Sequence, residues 1–147
     1  MIINVFNEQT ALVIANSLIR RVVKHVLTEE KVICDEVNIY FVDIPFISKL
    51  HAEFFNDPSP TDCISFPIDD CEEKNGQKRL LGEVFVCPAT AIAYAKKTGK
   101  DPFTETILYI VHGLLHLIGY DDLEPKAKAR MRRAEARHMK KLFAEPN

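Results

Sequence analysis

The chain has 147 residues, of which 47% are hydrophobic and 27% charged, with a formal net charge of −2. That length suits one domain, residues 1–147, with its own core, and the composition is that of a globular protein rather than a disordered or fibrous one. The slightly acidic balance excludes a protein that coats nucleic acid by bulk charge, and Arg20, Arg21 and Lys24 interrupt the first long apolar segment, so no membrane span is expected.

Residues 2–6 (Ile-Ile-Asn-Val-Phe) read as a short strand, and the start of the chain lacks the basic region and apolar run of a signal peptide, which predicts a cytoplasmic protein. Thr10 is a candidate N-cap for a helix with Leu12, Ala15, Leu18, Ile19, Val22, Val23 and Val26 at helical spacing. Val37 to Val42 alternates and is rich in β-branched and aromatic residues, a second strand. Asp43 and Pro45 suit the start of a short helix through Ile47, Leu50 and Phe54, and residues 56–60 form a loop by composition. Thr61 to Phe66 is a third strand ending at Pro67, and Leu80 to Cys87 a fourth. The 68–79 connection, with Asn75-Gly76 at its tip, makes them an antiparallel pair.

Pro88 and Thr90 open a helix that runs to Gly99, Asp101-Pro102 caps the next, and Pro125 begins a final basic one. These elements sum to a single α+β domain: a small, mainly antiparallel four-stranded sheet packed with about five helices. The four cysteines (34, 63, 71 and 87) show no CxxC pair and read as reduced, mostly buried thiols.

The chemistry is concentrated in His112-Gly113-Leu114-Leu115-His116-Leu117-Ile118-Gly119-Tyr120-Asp121-Asp122. Residues 104–111 before it are apolar on nearly every side, so this is the central buried helix, and His112 and His116 project from one of its faces. Gly119 stops the helix, and the chain can then carry Asp122 back to the imidazoles. Two His and a carboxylate leave a fourth position open, as a catalytic zinc site requires, although the same set also holds non-haem iron. Asp121 is a candidate to accept from a ligand His and fix its tautomer. Read without function, these are core histidines and a turn aspartate, yet two imidazoles side by side on an apolar helix need polar partners. The spacing H-x3-H-x2-G-x2-D matches the ligand and glycine positions of metzincin proteases, but Gly113 occupies the place of their Glu base.

Residues 126–141 hold eight Lys/Arg against the single Glu135, which leaves the rest of the chain at −9. Lys126, Arg130, Arg133, Arg137 and Lys141 fall near one helix face, with Ala127, Met131, Ala134 and Leu142 on another. The stripe reads either as a solvated face or as a phosphate-facing surface beside the histidines. His25, His51 and His138 read as surface or boundary histidines.

Three stretches, Pro60-Thr61-Asp62-Cys63-Ile64-Ser65-Phe66-Pro67, Leu81-Gly82-Glu83-Val84-Phe85-Val86-Cys87 and His112 to Asp122, resemble the YbeY family of bacterial rRNA-maturation endoribonucleases over most of the chain from Leu50 onward. The resemblance implies a cytoplasmic hydrolase with one Zn2+ per chain, acting on single-stranded RNA in maturation of the small-subunit rRNA 3′ end and in ribosome quality control. Its implied partners are the small-subunit rRNA precursor and the ribosomal small subunit or its assembly proteins, with no membrane and no DNA. It implies His112 and His116 as metal-holding catalytic residues with Asp121 beside them, and Thr61, Asp62 and Ser65 as the other cleft wall. Arg130, Arg133 and Arg137 would meet the substrate.

Two positions depart from the family pattern H-G-x-L-H-L-x-G-Y-D-H. Its third ligand His is Asp122 here, still a competent zinc ligand. Six residues before Thr61-Asp62 the family carries a phosphate-holding Arg, and this chain has Phe55, which can stack on a base but cannot donate to phosphate. Either another cation replaces the Arg, with Lys49 and the final helix as candidates, or catalysis is weakened. The competing expectation is a non-catalytic ribosome-assembly factor with a structural metal and a basic RNA-binding helix.

Overall fold

Alternation sets the faces of the sheet. In β2 (Glu36–Phe41), Val37, Ile39 and Phe41 are buried on one face while Asn38 and Tyr40 take the other. The computed structural model describes residues 1–69 and 78–144. Around β2 lie β1 (Ile2–Asn7), α1 (Asn16–Glu29), α2 (Ile44–Phe55), β3 (Cys63–Pro67), β4 (Leu80–Val86), α3 (Pro88–Thr98), α4 (Pro102–Leu117) and α5 (Pro125–Leu142). Among the described residues, the α+β class and the four strands and five helices agree with the expectation from the sequence.

The sheet order is β1-β2-β4-β3, with β1 parallel to β2, β2 parallel to β4, and only β3 antiparallel to β4. The expected mainly antiparallel sheet is therefore corrected to a mixed one. A whole helix, α1, lies between β1 and β2, long enough to return the chain for a parallel pairing; only the β3–β4 connection is a hairpin. The expected tip, Asn75-Gly76, lies outside the described residues, but Ile68 and Asp69 donate to the carbonyls of Leu81 and Leu80 (3.1 and 3.0 Å).

Local signals place most helix ends. Asp43 accepts from the Phe46 amide at 2.9 Å and Asp101 from the Thr104 amide at 2.9 Å, each followed by a proline in the first turn. Thr10 is not the cap of α1, which starts at Asn16 without a side-chain cap. The Gln9 side chain pairs twice with the Leu12 backbone (2.8 and 3.0 Å), holding a turn where the helix was expected. Cys63 and Cys87 are free, but Cys34 is disulfide-bonded, against the expectation of reduced thiols. Cysteine spacing in the sequence does not report which sulfurs the fold brings together.

Helix α4 lies on β3 and β4 and is flanked by α1, α3 and α5. Its Ile107, Ile110, Val111, Leu114 and Leu115 are at most 1% exposed, each such residue contributing about 1.5–3 kcal/mol. The far face of the sheet is aromatic, with Tyr40, Phe66 and Phe85 covered by Ile47 and Leu50 of α2. Among the described residues no helix is long and apolar enough to cross a membrane.

Candidate metal centre

Leu108, His112 and His116 are partly open positions four residues apart, so they form one stripe on an otherwise enclosed helix. The opposite side of that turn touches the sheet. A Cβ at Gly113 would stand 2.5 Å from Val84 Cγ1 and 2.8 Å from Cys63 Sγ, so no side chain fits there. Packing thus excludes the protease glutamate after the first His. Ser65 donates its hydroxyl to the Gly113 carbonyl (2.9 Å), which ties β3 to the same turn.

After α4 the chain reverses at Gly119, whose φ of 106° favours glycine. The reversal brings Asp122 Oδ2 to 3.6 Å from His116 Nε2 and 3.9 Å from His112 Nε2, while the two Nε2 atoms are 3.1 Å apart. Each Nδ1 faces an acceptor: the Glu135 carboxylate at 2.7 Å for His112, the Tyr120 carbonyl at 3.1 Å for His116. Both Nδ1 atoms therefore donate, and both Nε2 atoms present lone pairs to each other and to a carboxylate. Acceptors that converge in this way suit a cation. Donors around a tetrahedral zinc at about 2.0 Å stand roughly 3.3 Å apart, so the residues present fit that ion.

Glu135 is the residue that sequence reasoning passed over. It is buried on α5, accepts from His112, and receives both bonds of Arg132 (2.7 and 3.0 Å). Burial pushes its carboxyl pKa up, but the hydrogen bonds and charges of His112 and Arg132 outweigh that and hold it below the usual range. One signal was available: Glu135 sits on the Met131–Ala134 face, a lone carboxylate on the apolar side of a basic helix. Asp121, expected to accept from a ligand His, instead accepts the Leu123 amide at 3.0 Å, because Glu135 and Tyr120 already occupy both Nδ1 positions.

Tyr120 is itself anchored. Its hydroxyl donates to Glu30 Oε1 (2.7 Å), and Glu30 Oε2 accepts from His138 Nε2 (2.7 Å) and Arg137 (2.9 Å). His138 is fully buried rather than a boundary residue, sealed between α1 and α5 by this carboxylate and by His25. Burial raises the Glu30 pKa, but hydrogen bonds from Tyr120, His138 and Arg137 leave it below its ordinary value. The basic stripe is drawn into the same network. Arg137 pairs with Glu30, Arg130 lies 4.5 Å over the Tyr120 ring, and Lys141 pairs with Glu29 (3.1 Å). Arg130, Arg133 and Arg137, expected to meet substrate, line neither of the two cavities that adjoin the His112–His116–Asp122 cluster; Arg132 does.

Those cavities lie on either side of the cluster. One, of about 460 Å³, is bounded by β3 and the end of α2 and includes Phe55, Thr61, Asp62 and Ser65. The other, of about 560 Å³, lies between α3, α4 and α5, with Lys100, Glu105, Arg132 and Glu135. Lys49 is in neither lining; among the described residues the cations of the two linings are Arg132 and Lys100. Cys63 is no thiolate nucleophile there, since burial pushes its thiol pKa far up.

The sequence profile described as Endoribonuclease YbeY matches residues 4–143. A protein of Protochlamydia amoebophila named Endoribonuclease YbeY is 54% identical over 142 residues, covering 97% of this chain and 93% of its own. A protein of that name from Chlamydia caviae is 37% identical over 129 residues, 86% and 81% of the two chains. The solution structure of a Thermotoga maritima protein superposes with a TM-score of 0.66 over 97% of this chain and 89% of its own, at 21% identity, a likeness of fold.

Proposed function

The chain belongs to the YbeY endoribonuclease family, and from that premise we propose that His112, His116 and Asp122 hold one Zn2+ per chain in a cleft that cuts single-stranded RNA. As a member of that family it is a metal-dependent endoribonuclease that acts in rRNA processing. The finer reading is a cytoplasmic enzyme that trims the 3′ end of the small-subunit rRNA precursor and serves ribosome quality control, with the ribosomal small subunit or its assembly proteins as partners.

The observation that carries the metal is the convergence of two Nε2 lone pairs and the Asp122 carboxylate on one point. Charge supports it. Among the described residues, the two cavities are lined by four carboxylates (Asp62, Glu105, Asp122 and Glu135) against two cations (Lys100 and Arg132). Alone, such a cleft repels a phosphodiester, and a divalent cation cancels the excess. Held by His112, His116 and Asp122, such an ion would supply Lewis-acid polarisation of a phosphoryl oxygen and would lower the pKa of water from about 16 toward about 7. The chain's own part is orientation: Glu135 and the Tyr120 carbonyl fix the imidazoles, Arg132 is at hand for phosphate, and Phe55 offers a stacking face where the family has its Arg.

The test is cleavage of single-stranded against duplex RNA, with chelator and with Asp122→Ala. We expect cleavage of the single strand alone, its loss with chelator, its return with zinc, and loss in Asp122→Ala. Cleavage that survives chelation, or an Asp122→Ala protein that loses thermal stability but still cuts, overturns the catalytic metal.

A further inference from the structure

The larger cavity holds a carboxylate that the proposed reaction does not use. Glu105, in the first turn of α4, is 6% exposed and lines the cavity, yet no described residue donates a hydrogen bond to it. Its nearest cation, Lys100 Nζ, is 4.0 Å away, beyond hydrogen-bond range. The Glu105 oxygens are not among the buried unpartnered atoms of the described residues, so they keep acceptor capacity open to the cavity for a ligand with N–H groups. The surroundings suit a flat ligand. Tyr94 is 43% exposed at the cavity wall, with Lys100 Nζ 5.4 Å from its ring centre, and the buried Tyr109 belongs to the same lining. Tyr109 keeps its phenolic proton, since burial and the Asp62 and Glu105 charges push its pKa up. His112 and Asp122 line the same cavity, so whatever enters lies next to the metal ligands.

Base edges differ in how they meet a carboxylate flanked by an ammonium. Guanine presents N1–H and the N2 amino group side by side, two donors for two carboxylate oxygens, with the O6 acceptor adjacent. Adenine and cytosine place a ring-nitrogen lone pair beside their amino group, and uracil has one N–H between two carbonyls, so each turns an acceptor toward Glu105. Single-stranded RNA is read in this way, by stacking on aromatics and bonds to the Watson–Crick edge. From these residues we infer that the cavity between α3 and α4 is a guanine-selective subsite beside the metal: Glu105 accepts from N1–H and N2–H, Lys100 donates to O6, and Tyr94 stacks on the ring. The subsite rests on the endoribonuclease reading and adds a base preference to it. Among the described residues, the cavity on the Phe55 side has no equivalent, since its charged residues, Asp62 and Asp122, are both acidic.

Two measurements separate this inference from its premise. Zinc-loaded protein is given oligouridines carrying one guanine or one adenine, and initial rates and cut positions are mapped for wild type and Glu105→Gln. Cutting next to guanine should be about tenfold faster or more than next to adenine, and the ratio should fall toward one in Glu105→Gln. Binding of GMP and AMP to the same zinc-loaded proteins repeats the comparison without cleavage, with GMP preferred by wild type and the preference lost in the variant. Equal rates and equal binding in wild type, or a guanine preference that survives Glu105→Gln, overturn the subsite. If no oligonucleotide is cut while GMP preference depends on Glu105, the endoribonuclease reading fails and the subsite stands. Unfolding midpoints and zinc content of both proteins exclude a collapsed variant as the cause.

Discussion

His112 and His116 stand one turn apart on the same helix, with rings 4.6 Å apart, yet different groups hold them. His112 is oriented by a side chain from another helix, the buried Glu135, backed by Arg132. His116 is oriented by a backbone carbonyl four residues on, in the turn that also delivers Asp122. A side-chain partner can be deleted by one substitution; a carbonyl can only be displaced by moving its turn. The two imidazoles should therefore fail differently, one through loss of a charge and the other through loss of anchorage.

Deleting the charge should have the largest effect. Glu135→Ala leaves His112 Nδ1 without its acceptor and Arg132 without its partner, and should weaken zinc binding about 10- to 100-fold. Glu135→Gln, whose amide oxygen still accepts, should recover most of that. Competition titration with a chromophoric chelator reads both, and wild-type affinity in the alanine variant would show that the comparison has no energetic content.

Loosening the anchorage should do less to the metal and more to the fold. Tyr120→Phe removes the 2.7 Å bond to Glu30 but keeps the carbonyl facing His116. We expect a stability loss of about 1.5–3 kcal/mol, typical of a hydrogen bond to a charged group, with zinc affinity reduced less than tenfold. Denaturant unfolding and the same competition titration measure the two quantities, and an affinity loss as large as that of Glu135→Ala would erase the distinction.

The smallest effect is on the pH dependence of stability. Glu30 has a folded pKa below its unfolded value, so it binds fewer protons in the native state. Its stabilisation is complete above the ordinary glutamate value and is lost as pH falls through the folded pKa. Unfolding free energies followed from pH 7 into the acid range should therefore decline, and Glu30→Gln should flatten that decline. An unchanged acid limb would mean that His138, Arg137 and Tyr120 do not act through the Glu30 charge.

What was legible in the sequence is local. The placement of His112 and His116 on one stripe follows from the 3.6-residue period, the reversal at Gly119 from a φ open to glycine, and the caps at Asp43 and Asp101 from short side chains beside a proline. Each depends on atoms a few residues apart, and so each could be read before any fold was known. The Asp122 return was legible for the same reason, as one turn after a helix end.

Only the tertiary structure decided the rest. Glu135 reaches His112 across 23 positions, His138 meets Glu30 across 108, and Glu105 comes to face a cavity shared with His112 of its own helix and Asp122 beyond it. The parallel pairing of β1 with β2 and the turning of Arg130 and Arg137 toward Tyr120 and Glu30 belong to the same class. The residues themselves announce charge and polarity but not partners. A partner is chosen by how helices and strands pack over long loops, and the energy that chooses it is the burial of α4 and its neighbours rather than any local preference.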